Sequence, residues 1–304
     1  MSVSFQTPLR YPGGKARLGP WLAWLMRHNE ISGGTYVEAY AGGAGAAMYL
    51  LLNRYVDRIV INDLDPSINC FWKASLYESE NFIKLVKSTP VTMKEREKQL
   101  KIIANKESES TLKLGFATFF LNRVNRSGIL SGGVIGGLEQ NGNYKIDARY
   151  NKKGLIQRIE KLARFKERIS VYSEDALDFL DIVEKRLEPN SLIYLDPPYY
   201  NKASQLYRNF YKPSDHKSVA DRINLIKTPW VVTYDNCPEI RELYESNDSC
   251  EFSLRYSTNK DRPLATELLV YNQVELPAQP FMLRSSKPYP SKWTEMGQAH
   301  PRSG

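Results

Sequence analysis

The segment Thr35-Tyr-Val-Glu-Ala-Tyr-Ala-Gly-Gly-Ala-Gly45 begins as an apolar strand and breaks into a glycine-rich turn. Ala46 to Asn53 behind it then reads as a helix. Glycine lets the backbone reverse sharply and lets another group approach without a Cβ in the way. Strand, glycine turn and helix in succession form the opening unit of an α/β sheet. The next segment, Arg58-Ile-Val-Ile61, is a second short strand ending at Asn62-Asp63.

The same pattern recurs downstream. Ile169-Ser-Val-Tyr172 precedes Glu174-Asp175, and Ser191-Leu-Ile-Tyr-Leu195 precedes Asp196-Pro-Pro-Tyr199. Pro229-Trp-Val-Val-Thr-Tyr234 and Ala265-Thr-Glu-Leu-Leu-Val-Tyr271 read as two further strands. Short apolar strands alternating with helical stretches indicate an α/β fold with a mainly parallel sheet. Ligands of such sheets bind beyond the carboxyl ends of the strands, where these polar motifs fall.

Between the strands, residues 71–166 differ in character. Dense charge (Lys94-Glu-Arg-Glu-Lys98) gives way to Asn122-Arg-Val-Asn-Arg-Ser-Gly-Ile-Leu-Ser-Gly-Gly-Val-Ile-Gly-Gly137. This is expected to be an inserted, mainly helical domain with a flexible polar loop. Leu155, Ile159, Leu162 and Phe165 lie at helical spacing and should face a core. The expected organisation is residues 1–70 and 167–273 as two parts of one catalytic domain around the 71–166 insertion. Residues 274–304, rich in Pro, Ser and Lys, are expected to be an extended or disordered tail.

Composition narrows the function. The 304 residues hold 42 Lys plus Arg against 34 Asp plus Glu, a formal charge of +8, which favours a polyanionic partner. Three scattered cysteines and three histidines argue against a disulfide framework and a zinc centre. Trp21 to Met26 is too short to cross a bilayer, so a cytoplasmic protein is expected.

Leu9-Arg-Tyr-Pro-Gly-Gly-Lys-Ala-Arg-Leu18 suggests a phosphate loop, but that motif needs Gly where Leu9 stands and Ser or Thr where Ala16 stands. The run Gly42, Gly43, Gly45 does not fit G-x-G-x-x-G either. It leaves open a dinucleotide, S-adenosylmethionine or a plain packing turn. Asp63, about 20 residues after this loop, is placed to accept hydrogen bonds from ribose hydroxyls, with Asp65 its competitor. Asp196-Pro-Pro-Tyr199 is the sharpest motif. Two prolines stiffen the backbone, so the carboxylate and a proline carbonyl form a rigid acceptor pair for an exocyclic amino group. Tyr199 offers a face on which a planar base can stack.

Taken in order, RYPGGK, EAYAGGAG, IVINDLD and LDPPYY resemble the DNA adenine-N6 methyltransferases of the GATC-methylating type, alpha group. The resemblance covers about Thr7 to Asn272. It implies a Rossmann-like methyltransferase sheet, S-adenosyl-L-methionine as cofactor and duplex DNA as substrate. It also implies cofactor contacts from Tyr11, Lys15, Glu38, Tyr40, Ala41, Gly42, Gly43, Asp63, Asp175, Ala176 and Asp196. Lys15 would pair with the cofactor's carboxylate, with Tyr11 as an aromatic wall, and Asp175 would lie near the adenine. The catalytic tetrapeptide is Asp196, Pro197, Pro198 and Tyr199. Two departures are Tyr40, where the family usually has Phe, and Ala44 within the glycine run.

In the family an Asn-Arg-rich loop within the insertion belongs to target recognition. Asn122, Arg123, Asn125 and Arg126 supply side chains that bond base edges and phosphates, and Lys202, Arg208 and Lys212 are expected phosphate contacts. The resemblance also brings a bacterial or phage source and a cognate restriction endonuclease as partner. Competing readings are cytosine N4 or RNA adenine as acceptor, and a catalytically idle DNA-binding module.

Overall fold

The computed structural model describes residues 7–11, 15–201, 211–255 and 264–280. Its centre is a seven-stranded sheet in the order β3-β2-β1-β4-β5-β7-β6. The strands are β1 Thr35–Glu38, β2 Arg58–Asn62, β3 Ile169–Tyr172, β4 Leu192–Leu195, β5 Trp230–Asp235, β6 Asp248–Arg255 and β7 Leu264–Asn272. Strands β1 to β5 pair in parallel, and β7 inserts antiparallel between β5 and β6. This is the mainly parallel sheet expected. The sequence reading missed β6, whose Asp248-Ser-Cys-Glu-Phe-Ser-Leu-Arg255 is too polar to stand out. It sits at the sheet edge with β7 as its partner.

Alternation along the strands gives each face its own core. On one face Tyr36 and Tyr194 join Trp21, Leu22 and Leu25 of helix α1 (Gly19–His28) and Leu50 of α2 (Gly45–Leu52). On the other, Val37, Ile193 and Val232 pack against α8 (Ala176–Glu184), α9 (Pro213–Ile223) and α10 (Pro238–Leu243) through Phe179, Val219 and Ile240. Strands covered on both faces read as continuous apolar runs, which is why most were visible in the sequence.

Five helices connect β2 to β3: α3 Pro66–Tyr77, α4 Ser79–Ser88, α5 Met93–Ala104, α6 Thr111–Val124 and α7 Lys152–Ala163. Side-chain caps mark most of their starts, with Asp65, Thr92, Ser110 and Asn151 accepting from backbone N–H groups of the first turn. Helix α6 is buried on every side from Leu114 to Val124, as expected of a helix apolar all round. Its Phe119 lies against Phe71, Phe82 and Tyr150 at ring separations of 6.1, 5.5 and 5.6 Å. Leu155, Ile159 and Leu162 face this core as their spacing foretold, with Phe165 partly covered against it.

Beyond β7, residues 274–280 lie along α1. Trp21 Nε1 donates to the Ala278 carbonyl at 3.1 Å, and Asn29 exchanges two hydrogen bonds with the Glu275 backbone at 2.7 and 2.9 Å. The remainder of the expected tail, residues 281–304, lies outside the described residues.

Candidate active site

The strand order reverses between β1 and β4, because β2 and β3 lie to one side of β1 while β4 and β5 lie to the other. At such a switch point the connections part and leave a crevice at the carboxyl ends. Here it is a cavity of about 330 Å³, lined among others by Tyr11, Lys15, Glu38, Asp63, Asp175 and Asp196. That is a volume typical of small-molecule sites.

The glycine loop shapes one wall. Gly42 has φ +47, and a Cβ there would lie 2.6 Å from the Tyr11 ring. Glycine is therefore required both by the backbone and by the aromatic lying over it. The loop is tied down by Gly42 N–H donating to Asp63 Oδ2 at 2.8 Å, Trp72 Nε1 to the Gly42 carbonyl at 3.0 Å, and Thr7 Oγ1 to the Gly43 carbonyl at 2.6 Å. Ala41 also lines the cavity, its N–H bonded to the Asn62 carbonyl at 2.8 Å.

Six acids line the cavity, Glu38, Asp63, Asp65, Glu174, Asp175 and Asp196, each from a strand end or the loop after it. Glu38 closes β1 and accepts from Tyr36 Oη at 3.2 Å and Ala47 N–H at 3.1 Å. Burial pushes its carboxyl up to about 8, against those two hydrogen bonds. Asp63 follows β2; each of its oxygens takes one backbone N–H, from Gly42 at 2.8 Å and Asp65 at 2.9 Å. Desolvation still lifts it to about 6. Each oxygen keeps a lone pair for a hydroxyl. Asp175 is exposed and caps α8 by accepting from Leu177 N–H at 2.9 Å, with Ala176 beside it. Asp65, the competitor of Asp63 for the ribose role, caps α3 through Ser67 N–H at 2.9 Å.

Asp196 follows β4. Its Oδ1 accepts from Lys15 Nζ at 2.7 Å and Thr233 Oγ1 at 3.0 Å, and its Oδ2 from Lys15 at 2.9 Å. Lys15 also donates to Tyr199 Oη at 2.9 Å. Lys15 thus sits on the Asp196 carboxylate and also lines the cavity. The reading of Tyr199 as a stacking face is corrected. Tyr199 is 4% exposed, its hydroxyl bonded to Lys15 and Glu267, so its face is not open to a base. Pro198 lines the cavity and Pro197 is buried behind it, while Tyr40 at the rim shares a 3.0 Å contact with the Tyr211 hydroxyl.

The polar run ending α6 is a second correction. Asn122, Arg123 and Asn125 are buried, at 1%, 6% and 0% exposure. Asn122 clasps the Arg10 backbone at both N–H and C=O, at 2.8 and 2.7 Å. Asn125 accepts from Arg96 Nε at 2.8 Å and donates to the Ile129 and Leu130 carbonyls at 3.0 and 2.8 Å. Arg123 donates to the Pro8 carbonyl. These side chains are consumed in holding the loop and the N-terminal segment together, so they cannot bond bases or phosphates. Arg126 is exposed, its Nε bonded to the Val134 carbonyl at 3.3 Å. Lys212 is exposed ahead of α9. Lys202 and Arg208 lie outside the described residues.

Sequence reasoning overlooked several participants. Glu267 on β7 is 1% exposed; a lone acid within Ala265-Thr-Glu-Leu-Leu-Val270 was a detectable signal, since a buried charge needs partners. Arg10 and Arg158 also went unnoticed. Arg10 sits between Leu9 and Tyr11, which line the cavity, and Arg158 Nη1 donates to the carbonyl of cavity-lining Thr7 at 3.1 Å.

A doubly wound sheet with an ordered glycine loop and an acid after β1, β2 and β4, all on one cleft, defines a Rossmann-like S-adenosylmethionine-dependent methyltransferase. The sequence model of the D12 class N6 adenine-specific DNA methyltransferases matches residues 11–258, and the chain belongs to that family. It is an S-adenosylmethionine-dependent enzyme that methylates adenine N6 in DNA. No curated protein matches the chain. Among solved structures it is similar to an S-adenosylmethionine-dependent methyltransferase from Agrobacterium tumefaciens (13% identity, 82% of this chain and 59% of that one, TM-score 0.36). Two others are an O-methyltransferase from Bacillus cereus (13%, 83% and 79%, 0.34) and an rRNA methyltransferase from Streptomyces viridochromogenes (12%, 82% and 82%, 0.31). Such distant likenesses say nothing about individual residues.

The cavity residues fit the cofactor. Carboxyls raised by burial are short of a positive partner, and a sulfonium with an α-amino group supplies one. The spare lone pairs of Asp63 suit a ribose diol. Among the described residues no helix is long and apolar enough to cross a membrane, and no cluster of His, Cys, Asp and Glu is set to hold a metal ion.

Proposed function

We propose that the cavity receives an adenine rotated out of duplex DNA, and that Asp196 with the Pro197 carbonyl grips its N6. The supporting observation is the state of Asp196. Oδ1 is filled by Lys15 and Thr233, while Oδ2 takes Lys15 alone and keeps a lone pair on the cavity wall. An N6–H bonded there aligns the nitrogen lone pair away from the carboxylate. Bound S-adenosylmethionine would supply an electrophilic methyl carbon, its S–CH3 bond breaking as the N–C bond forms and S-adenosylhomocysteine leaving as a neutral thioether. Asp196 stabilises the positive charge that develops on N6 as the new N–C bond forms, and the proton N6 loses leaves by way of Oδ2. Lys15 fixes the carboxylate, Asp63 holds the ribose, and Tyr11 closes the wall over the glycine loop.

The helical segment between β2 and β3 serves as the target-recognition unit, with residues 71–166 its expected extent. Its contribution to DNA binding is Arg126, Arg149 and Arg158, joined by Arg10 of the N-terminal segment; none of the four has an acidic side-chain partner within ion-pair distance among the described residues. Burial, and after it the nearby Arg149, lowers the pKa of Arg10, and burial followed by Arg158 lowers that of Arg123. Unpaired like charges beside the cavity mouth favour a phosphate backbone. Extruding the base is costly by a few kcal/mol, about the scale that such contacts offset.

The test is Asp196→Ala with labelled S-adenosylmethionine and genomic DNA from a host lacking N6-methyladenine. Label transfer should fall by about 10³-fold or more, with cofactor affinity within about threefold of wild type. Turnover close to wild type would sink the assignment.

A further inference from the structure

The Lys15–Asp196 pair does not end at Asp196. Behind Lys15 lies Glu267, carried in by β7, the last strand of the sheet in chain order. Its Oε2 is 3.7 Å from Lys15 Nζ, and its Oε1 accepts the Tyr199 hydroxyl, which itself accepts from Lys15 at 2.9 Å. Lys15, Tyr199 and Glu267 are 5%, 4% and 1% exposed. The arrangement is thus one ammonium and one phenol shared between two carboxylates. Asp196, with its side chain 20% exposed, belongs to the cavity; Glu267 is sealed behind it.

We infer that Glu267 is a positioning residue for methyl transfer, acting on Asp196 through Lys15 and Tyr199. This rests on the role of Asp196 proposed above. A buried carboxylate is costly without partners, and the neighbours of Glu267 on β7, Leu268, Leu269 and Val270, are apolar and buried. Its effect is electrostatic and geometric. Glu267 draws part of the Lys15 charge to itself, so that Asp196 retains more negative charge for the nitrogen that becomes positive in the transition state. It also gives Nζ a second carboxylate contact, at 3.7 Å, which sets the direction of the Asp196 carboxylate to within the tolerance that a near-attack geometry demands. Thr233, hydrogen-bonded to Tyr194 at 2.7 Å, completes the grip from β5.

No part of Glu267 lines the cavity, so a role through Lys15 separates cleanly from a role in binding. Glu267→Gln keeps the shape and removes the charge. In full-length protein the expected result is a kcat lowered about 10- to 100-fold, with the dissociation constant for S-adenosylhomocysteine changed less than about threefold. The Lys15→Met background supplies the discriminating readout. If Glu267 acts through Lys15, adding Glu267→Gln to Lys15→Met costs less than about twofold in single-turnover rate. A side chain that merely supports the strand would cost the same factor in both backgrounds. Should Glu267→Gln fold poorly by thermal melting, Tyr199→Phe breaks the same link by removing one hydroxyl and should show the same kcat loss. The inference is overturned by equal losses in the two backgrounds, by a loss confined to cofactor affinity, or by a kcat within twofold of wild type. Asp196→Ala run in parallel separates the two proposals: active Asp196→Ala refutes the role of Asp196 itself. Inactive Asp196→Ala beside fully active Glu267→Gln refutes the role of Glu267 alone.

Discussion

Two regions of this molecule carry nearly the same kinds of polar side chain and use them in opposite ways. At the strand ends Glu38, Asp63 and Asp196 line a cavity with hydrogen-bonding capacity to spare. At the end of α6, Asn122, Arg123 and Asn125 spend theirs on the carbonyls and amides of Pro8, Arg10, Ile129 and Leu130. Both are polar runs after an apolar element. What separates them is what lies beyond: a strand end at a switch point opens onto a crevice, whereas α6 ends inside the protein. Polar residues in the first place are available to a ligand, and in the second they take the place of secondary structure.

Breaking the α6 side should give the largest stability effect. Asn125→Ala takes the partner of Arg96 Nε and the Asn125 bond to the Leu130 carbonyl, while the Ile129 carbonyl keeps the Gly132 N–H, and should lower unfolding stability by about 3 kcal/mol. Chemical denaturation checks this; a loss below about 1 kcal/mol would mean that the loop re-satisfies itself, and the contrast drawn above would weaken. On the strand side, Asp63→Ala should raise the cofactor dissociation constant by about 10- to 100-fold with a smaller change in melting temperature. Calorimetric titration measures the first and a thermal scan the second. If stability falls and affinity does not, Asp63 belongs with Asn125 as a structural side chain.

The raised carboxyls give a pH test. Glu38 at about 8 and Asp63 at about 6 hold protons in the folded protein that they release as pH climbs through those values. A cationic ligand favours the released form. The affinity ratio of S-adenosylmethionine over S-adenosylhomocysteine, which lacks the sulfonium charge, should therefore increase about 3- to 10-fold between pH 6 and 8.5. A flat ratio would show that neither acid senses that charge. Stability runs the other way. Folded values above the unfolded ones mean a contribution present below pH 4 and lost as pH rises through 6 and 8, so Glu38→Gln should flatten that decline in melting temperature. The smallest effect expected is for Arg158→Ala, a few-fold loss of DNA affinity with the salt slope reduced by about one unit. An unchanged slope would remove Arg158 from the phosphate contacts.

Much of this was legible in the sequence, for a physical reason. Strands β1, β2, β3, β4, β5 and β7 are short apolar runs punctuated by acids or glycines, and burial on both faces makes such runs stand out. Edge strand β6 shows Asp, Ser, Glu and Arg and could not be distinguished from loop. The cavity acids were visible because a carboxylate directly after an apolar strand has few structural uses. The pairing of Lys15 with Asp196 was not, because 181 residues separate them. Asn122, Arg123 and Asn125 misled because residue type alone does not report burial. The clue was the preceding Leu114-Gly-Phe-Ala-Thr-Phe-Phe-Leu121, apolar through more than two turns and so internal.

Strand β7 lies between β5 and β6 although it follows both in the chain. During synthesis the sheet therefore keeps an open seam beside β5 until residue 264 and those after it have left the ribosome. Over that period Lys15 and Tyr199 have no Glu267 to meet. A nascent or prematurely ended chain can carry the whole glycine loop, Asp63 and the Asp-Pro-Pro-Tyr motif and still lack the finished catalytic grip. On the role inferred for Glu267, delivery of β7 and the ability to mark DNA are joined in one event, the closing of that seam.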